Sequence, residues 1–416
     1  MPEPKKYICK CESCKREFDE EEFKLTKDED KCILHCNKYE DIELSKEFLK
    51  KITEIVFEKK VENSIELKSI VFPSVDTNDL NKFNKEKIIF KNCKFQGKIK
   101  CFSKSIVPEL EFEDCEFESQ VLWENTTIEK KISFKSSIFK DDFINNECTF
   151  NKVVNLDGVI YESVSDFSKS IFKDKVKQKY TSYDGYTIFR DVTFEKELNL
   201  RDTIFNHKVN FLNIHKNKNN EIVDVENRET ARIIKDSFEQ QNNIIEANRF
   251  YALEMKEREK ELEFNKEPFE WLVFRIHAWS SNHSQDWLLA LYWIITLGFA
   301  FALFNFYTLK IENKFVHFEF IKFIGLFCLI LIGIVVDNIC KKKDEIKSIF
   351  LLFYFYLLYA YETSDKFLTF FANTINPFSI MTGKDELTFG TLIFKIIIAY
   401  LIYQLIISIR QNTRRK

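Results

Sequence analysis

The sequence predicts a multidomain chain in four parts: a small cysteine-rich N-terminal module, a β-helix solenoid, a helical hairpin and an all-α transmembrane bundle of four spans. Three observations carry this reading. Five cysteines and a histidine fall within 28 positions near the N-terminus, between Cys9 and Cys36. From Ile88 to Ile214 apolar residues recur on an eleven-residue unit. From Trp287 to Ile409 the chain holds long, nearly uncharged apolar runs.

Composition bounds the rest. A chain of 416 residues with 45% hydrophobic and 31% charged residues has room for two or three domains. The first 286 residues are rich in Lys, Glu, Asp and Asn, and the apolar runs follow abruptly, so a soluble part precedes a membrane part. The formal net charge of −3 gives no global basic surface, which excludes nucleic acid as an expected partner. The opening Met1-Pro-Glu-Pro-Lys-Lys-Tyr-Ile-Cys holds no apolar run of secretory length, so the soluble part is expected in the cytoplasm. In a reducing compartment the eleven cysteines are expected as thiols, metal ligands or packing residues rather than disulfides.

The module at residues 1–40 is read as zinc-binding-like. Cys11-Glu-Ser-Cys14 has the spacing of a tight turn that aims two thiolates at one metal ion. Cys32 with Cys36 completes a tetrahedron, with His35 and Cys9 as alternate ligands. A segment this short, with a charged interval between the two halves, cannot bury a core of its own, so a structural zinc ion would supply folding energy. Redox use of the Cys11–Cys14 pair lacks the βαβ context it needs.

Residues 41–87 are read as a helical and capping segment, and 88–214 as the solenoid. Leu110-Glu-Phe112-Glu-Asp-Cys115-Glu-Phe117 is one copy of the repeat, and Ile132 to Phe139 and Leu198 to Phe205 repeat it in register. Large inward positions alternate at steps of five and six residues, as in Phe112, Phe117, Trp123, Ile128, Phe134 and Phe139, and only Asn145 and Gln178 are polar. Those steps are too long for a helix face and too regular for hairpins, whereas a square coil turning about every five residues requires them. Between the large residues a small one recurs, as at Cys93, Cys115, Thr126, Ser137, Cys148, Ser170 and Thr203. These cysteines are therefore packing residues. Ile65 to Phe72 is an earlier copy that precedes an insertion and is expected to cap the stack.

The spacing resembles the pentapeptide-repeat family, which implies a right-handed quadrilateral β-helix over about 125 residues, two eleven-residue units making one four-sided turn. The extra residue in alternate steps departs from a plain five-residue repeat. Solenoids of this kind present flat outer faces suited to binding or spacing rather than catalysis.

From 225 to 264 the pattern turns helical, with a break near Asn242-Asn243, and is read as a helical hairpin ending in alternating charges. From 267 to 286, Phe269, Leu272, Ile276 and Trp279 recur at helical spacing, as in a helix lying in the membrane interface; His277 and His283 are read there as interfacial polar groups. The order of solenoid, Glu246-Ala-Asn-Arg-Phe-Tyr-Ala-Leu-Glu-Met255 helix, interfacial helix and spans resembles bacterial pentapeptide-repeat proteins that carry an ion-channel-like C-terminal region.

The membrane part, 287–416, is expected to hold spans at about 287–309, 318–336, 349–361 or longer, and 387–409. Basic flanks at Lys341–Lys347 and Arg410–Lys416 place both termini on the cytoplasmic side of a bacterial inner membrane. Lys395 lies inside an apolar run, where a charge is expensive. It either snorkels to the headgroups or pairs with Glu362 or Asp365 on an extended third span.

Two functions follow. In the first, the solenoid binds or scaffolds a cytoplasmic protein partner at the membrane, the bilayer itself being the other partner and a second copy of the chain an open one. In the second, the chain is an ion-channel-like sensor gated by the solenoid, with residues 369–383 re-entering the bilayer. It lacks the Thr-x-Gly-Tyr-Gly run of a potassium filter. An enzyme is not expected: no nucleophile elbow, phosphate loop or metalloprotease helix occurs, and eight glycines leave little material for nucleotide cradles.

Overall fold

The eleven-residue period appears in the computed structural model as a parallel β-solenoid of about six turns with four faces. The structure describes residues 6–413 apart from 12–13, 28–30, 39–40, 59–62, 77–84, 103–104, 107, 218, 220, 312–352, 354, 358, 361–362, 364, 380 and 382–387. The chain divides into two compact units, Met1–Asn243 and Ile244–Lys416.

Short strands stack in register to make the four faces, with six, seven, seven and five strands. Phe90 pairs with Phe112, Phe117 with Phe139, and Thr149 with Ile171, each 22 positions on, so two eleven-residue units do make one turn. Ile65–Phe72 is the first coil of the stack, pairing Ile65 with Ile88 and Phe72 with Phe95. Parallel strands in such a stack keep identical positions in line. Phe90 lies flat on Phe112 at 4.8 Å between ring centroids, and Phe117 on Phe139 at 4.4 Å. These aromatic columns are the solenoid's core, and Phe134 and Trp123 are fully buried in it.

The turns explain the small positions. Asn92, Asp114, Asn125, Ser136, Glu147, Lys169, Tyr180, Asp191, Asp202 and Asn213 all have left-handed backbone, and Gly158 takes the same conformation at φ 69°. From Asp114 to Asn213 they recur every eleven residues, each directly before an inward residue that is Cys, Ser or Thr at most coils and Val159, Val192 or Ile214 at the others. Asn, Asp and Gly tolerate that conformation at the lowest cost. The small side chain then donates to a carbonyl of the preceding coil: Cys115 Sγ to Phe90 O at 3.4 Å, Cys148 Sγ to Trp123 O at 3.2 Å, Thr203 Oγ1 to Gln178 O at 2.9 Å. Cys, Ser and Thr there thus add a hydrogen bond to the packing, whereas Val159, Val192 and Ile214 fill the position by packing alone.

Both ends of the stack are sealed. At the start, α2 (Ile42–Glu58) buries Leu44, Phe48, Ile52 and Val56 at four-residue spacing, and Phe48 meets Phe72 edge to face at 5.4 Å. At the far end α3 (Arg228–Gln240) begins on Asn227, whose side chain accepts from Thr230 N. Thr230 Oγ1 accepts from Leu200 N at 2.8 Å, and Ser237 Oγ and Gln241 Nε2 donate to Val209 O. These bonds satisfy backbone groups that a last coil would leave open, so α3 is a cap on the solenoid rather than a free linker.

In the second unit, α4 (Ile244–Glu261), α5 (Pro268–Ser281), α6 (Trp287–Ile311), α7 (Thr369–Ile375) and α8 (Phe389–Thr413) are the described helices. Two stretches are long and apolar enough to cross a membrane, Trp287–Phe306 in α6 and Phe389–Gln411 in α8. These are the first and last of the four expected spans. The second, 318–336, and the basic loop at 341–347 lie outside the described residues; of the third, residues 353, 355–357 and 359–360 are helical. Among the described residues two candidate spans are therefore present where four were expected. α6 and α8 pack along their length, with Phe301 stacked on Phe394 at 3.8 Å between centroids. α7 packs against Gly298 of α6, where a Cβ would meet Ile375 Cγ2 at 2.5 Å.

Candidate metal centre

The N-terminal cluster is built by a hairpin and a turn. Strands β1 (Tyr7–Ile8) and β2 (Glu17–Phe18) pair antiparallel, and Cys9 N donates to Arg16 O at 2.9 Å. Within the hairpin Cys14 N donates to Cys11 O at 3.1 Å, closing a turn that brings Cys14 back towards Cys9. Tyr7, Phe18 and Phe23 stack beneath it, Phe23 belonging to α1 (Glu20–Thr26), which is capped by Asp19. The second half is the turn Cys32–His35, closed by His35 N donating to Cys32 O at 2.9 Å. Glu22 of α1 ties the halves, accepting from Ile33 N at 2.9 Å and pairing with Arg16.

The result is a Cys3His cluster: Cys9 Sγ, Cys14 Sγ, Cys32 Sγ and a ring nitrogen of His35 all lie within 4.8 Å of one another. Cys14 Sγ and Cys32 Sγ are 3.9 Å apart, Cys9 Sγ and His35 Nδ1 3.8 Å, and Cys32 Sγ and His35 Nδ1 3.2 Å. A tetrahedral zinc ion with Zn–S near 2.3 Å and Zn–N near 2.0 Å sets ligand separations of about 3.5–3.8 Å, so the donor set and its dimensions fit zinc. Cys32 N also donates to Cys9 Sγ at 3.3 Å, the kind of amide contact that steadies a ligating sulfur. Burial pushes the thiols of Cys14 and Cys32 up and pushes His35 down to about 4, with Lys38, Arg16 and Lys31 adding to the depression. His35 is thus a neutral imidazole at pH 7, the form that ligates metal.

Of the expected ligands, Cys14 and Cys32 are in the cluster and both alternates, Cys9 and His35, complete it. Cys11 and Cys36 are not among the four converging donors; Cys36 Sγ points to Ile33 O at 3.8 Å. The cluster is joined to the solenoid through Lys38, whose Nζ donates to Cys36 O and Val71 O and lies over the Phe48 ring at 4.7 Å. Leu34 O also accepts from Val71 N at 2.9 Å.

The expected intramembrane pair takes a different form. Glu362 lies outside the described residues. Asp365 and Lys395 bracket α7 instead of pairing with each other. Asp365 accepts from the amides of Thr369, Phe370 and Phe371 and from Tyr359 Oη. Lys395 Nζ donates to Asn373 O, Thr374 O, Asn376 O and Ser379 Oγ at 2.6–3.1 Å and is buried.

His277 in the last turns of α5 and His283 just after it meet in an elbow of the chain. Asn282, His283 and Ser284 form three consecutive left-handed residues. In that elbow His283 Nδ1 meets His277 Nδ1 at 3.3 Å, and Ser281 Oγ and Ser284 Oγ both donate to Gln404 Oε1 of α8 at 3.1 Å. Gln404 was not singled out from the sequence; within α8 it is a lone amide in an apolar run, which was the signal available.

No protein-family model matches the chain, and neither a curated protein nor a solved structure matches it. The likeness to pentapeptide repeats therefore rests on the coil itself.

Proposed function

We propose that this chain is a multi-pass membrane protein whose zinc-stabilised, capped solenoid holds a partner protein at the membrane surface. The observation that carries the membrane part is where the apolar residues face. Only 44% of the span in α6 and 33% of that in α8 are buried inside the protein. The core helix of a soluble protein would hide most of such a surface, whereas a bilayer tolerates it. The exposed stripe of α5, with Phe269 83% and Trp279 62% exposed, continues into Trp287 and Leu288 at the start of α6, which suits a helix resting in the lipid interface. Four spans with both termini in the cytoplasm remain the topology that the basic flanks favour. On the solenoid, ladders such as Lys87 with Glu109 and Glu111, and Lys91 with Glu66 and Glu113, leave a charged sheet surface of the kind that binds by area rather than by a cleft.

One observation favours the channel-like alternative. α7 is a seven-residue helix packed against Gly298, eleven residues into α6, roughly 16 Å along a helix axis. A short helix at that depth is how a re-entrant segment would sit.

Planar-bilayer recording of the purified full-length chain separates the readings. The scaffold reading expects carbonate-resistant membrane association without conductance. Discrete conductance steps would overturn it in favour of the channel, and release by carbonate would overturn both.

A further inference from the structure

The hydrogen bonds around Lys395 make a shell of oxygens about one nitrogen. Its side chain leaves α8 among Leu392, Phe394 and Ile398 and is 4% exposed. Among the described residues, four oxygens lie against the nitrogen: Asn373 O at 3.1 Å, Thr374 O at 2.6 Å, Asn376 O at 2.9 Å and Ser379 Oγ at 2.7 Å. An ammonium has three N–H bonds, so four oxygens at this range exceed one directed bond per donor. Backbone carbonyls gathered around a charge are how proteins replace the hydration of a monovalent cation. Asn373 O and Thr374 O are carbonyls of the last turn of α7, groups that a helix end leaves without intrahelical partners, while Asn376 O at the C-cap also accepts from Ser379 N and Ser379 Oγ. Leaving them unmet in an apolar unit is costly.

We propose that these oxygens form a binding site for an ammonium or primary alkylammonium cation, and that the chain keeps the site filled with its own Lys395. The site discriminates by N–H donors and by size. Methylammonium reproduces the terminal carbon and nitrogen of the lysine, whereas tetramethylammonium offers no N–H and is too wide. Sodium draws oxygens closer than this shell holds them. The inference concerns the packing of α7 on α8 and stands apart from the membrane reading.

The test is chemical rescue in the full-length protein. Lys395→Ala, purified in detergent, is expected to melt below the parent. Methylammonium chloride should raise its melting temperature in a saturating manner, as ligand linkage requires, and leave the parent unmoved. Tetramethylammonium and sodium chloride at equal ionic strength should do nothing. Equal shifts in parent and variant, or no shift in either, would overturn the proposal. A second measurement covers a variant that does not fold: Ser379→Ala removes one of the four oxygens, so Lys395 should be acylated several-fold faster by an amine reagent, mapped by mass spectrometry. Unchanged labelling would also overturn it.

Discussion

At the scale of single residues, the metal centre discriminates among five cysteines that look alike in sequence. Cys9, Cys14, Cys32 and His35 share one point in space, and Cys11 stands only three residues from Cys14 yet outside it. Cys9→Ser, Cys14→Ser, Cys32→Ser and His35→Ala are therefore expected to lower the bound zinc of the purified chain below one per molecule, whereas Cys11→Ser and Cys36→Ser should retain it. Elemental analysis after dialysis decides this; equal loss from Cys11→Ser would remove the assigned set. Because a structural zinc ion contributes folding energy, chelation should also loosen the segment before Ile42, seen as faster proteolysis there. The cysteines in the solenoid behave differently. Cys115 and Cys148 are buried donors to carbonyls of the preceding coil, and zinc content should be indifferent to them.

At the scale of elements, the solenoid depends on inward columns and is tolerant outside them. Phe134 is stacked on Phe112 at 5.0 Å and is fully buried. Phe134→Asp places an unpaired carboxylate in that column and is expected to cost roughly 3–5 kcal/mol, combining the lost aromatic burial with the buried charge. Lys140 projects outward and pairs with Glu116 at the surface. Lys140→Asp loses a solvent-screened pair, so the unfolding midpoint should move little. Trp123 is the sole tryptophan before residue 271, and its fluorescence in urea reports the solenoid. Similar shifts for both variants would show that the assigned faces are wrong. The period and both exceptions in the inward row were legible in the sequence, because a one-dimensional stack repeats its constraint every coil. Asn145 and Gln178 do point inward, and Tyr183 Oη donates to Gln178 Oε1 at 3.1 Å. The small position's hydrogen bond was not legible, since its acceptor lies 25 residues away in the preceding coil.

At the scale of the whole molecule, the second unit carries a pH dependence of its own, apart from that of His35 in the first. Two Nδ1 atoms at 3.3 Å require one to donate and the other to accept, so His277 and His283 cannot both be protonated and keep the contact. Burial depresses both; for His283 the His277 and Lys256 charges add to this, while Glu259 opposes it. Arg275 pairs with Glu259, and Gln404 is the neutral group from α8. With folded pKa values below 6.5, the unfolded state binds more protons between the two values. The stabilisation is therefore present above about pH 6.5 and is lost as pH falls below it. The melting temperature of the detergent-solubilised chain should drop between pH 7 and 5, and His283→Asn should flatten that slope. An unchanged slope would place the acid sensitivity elsewhere.

By itself the sequence determined the periodic features: the four-sided coil, the apolar spans in α6 and α8, and the presence of a Cys/His cluster. Each is set by spacing along the chain, and spacing is what a sequence displays. Only the tertiary structure decided which thiols converge, that α3 seals the last coil, and that Lys395 meets the carbonyls of α7. Those outcomes depend on which backbone groups are left unsatisfied once the elements pack. An orphan carbonyl at a helix end is invisible in a sequence, because it becomes an acceptor for another element only once the elements pack.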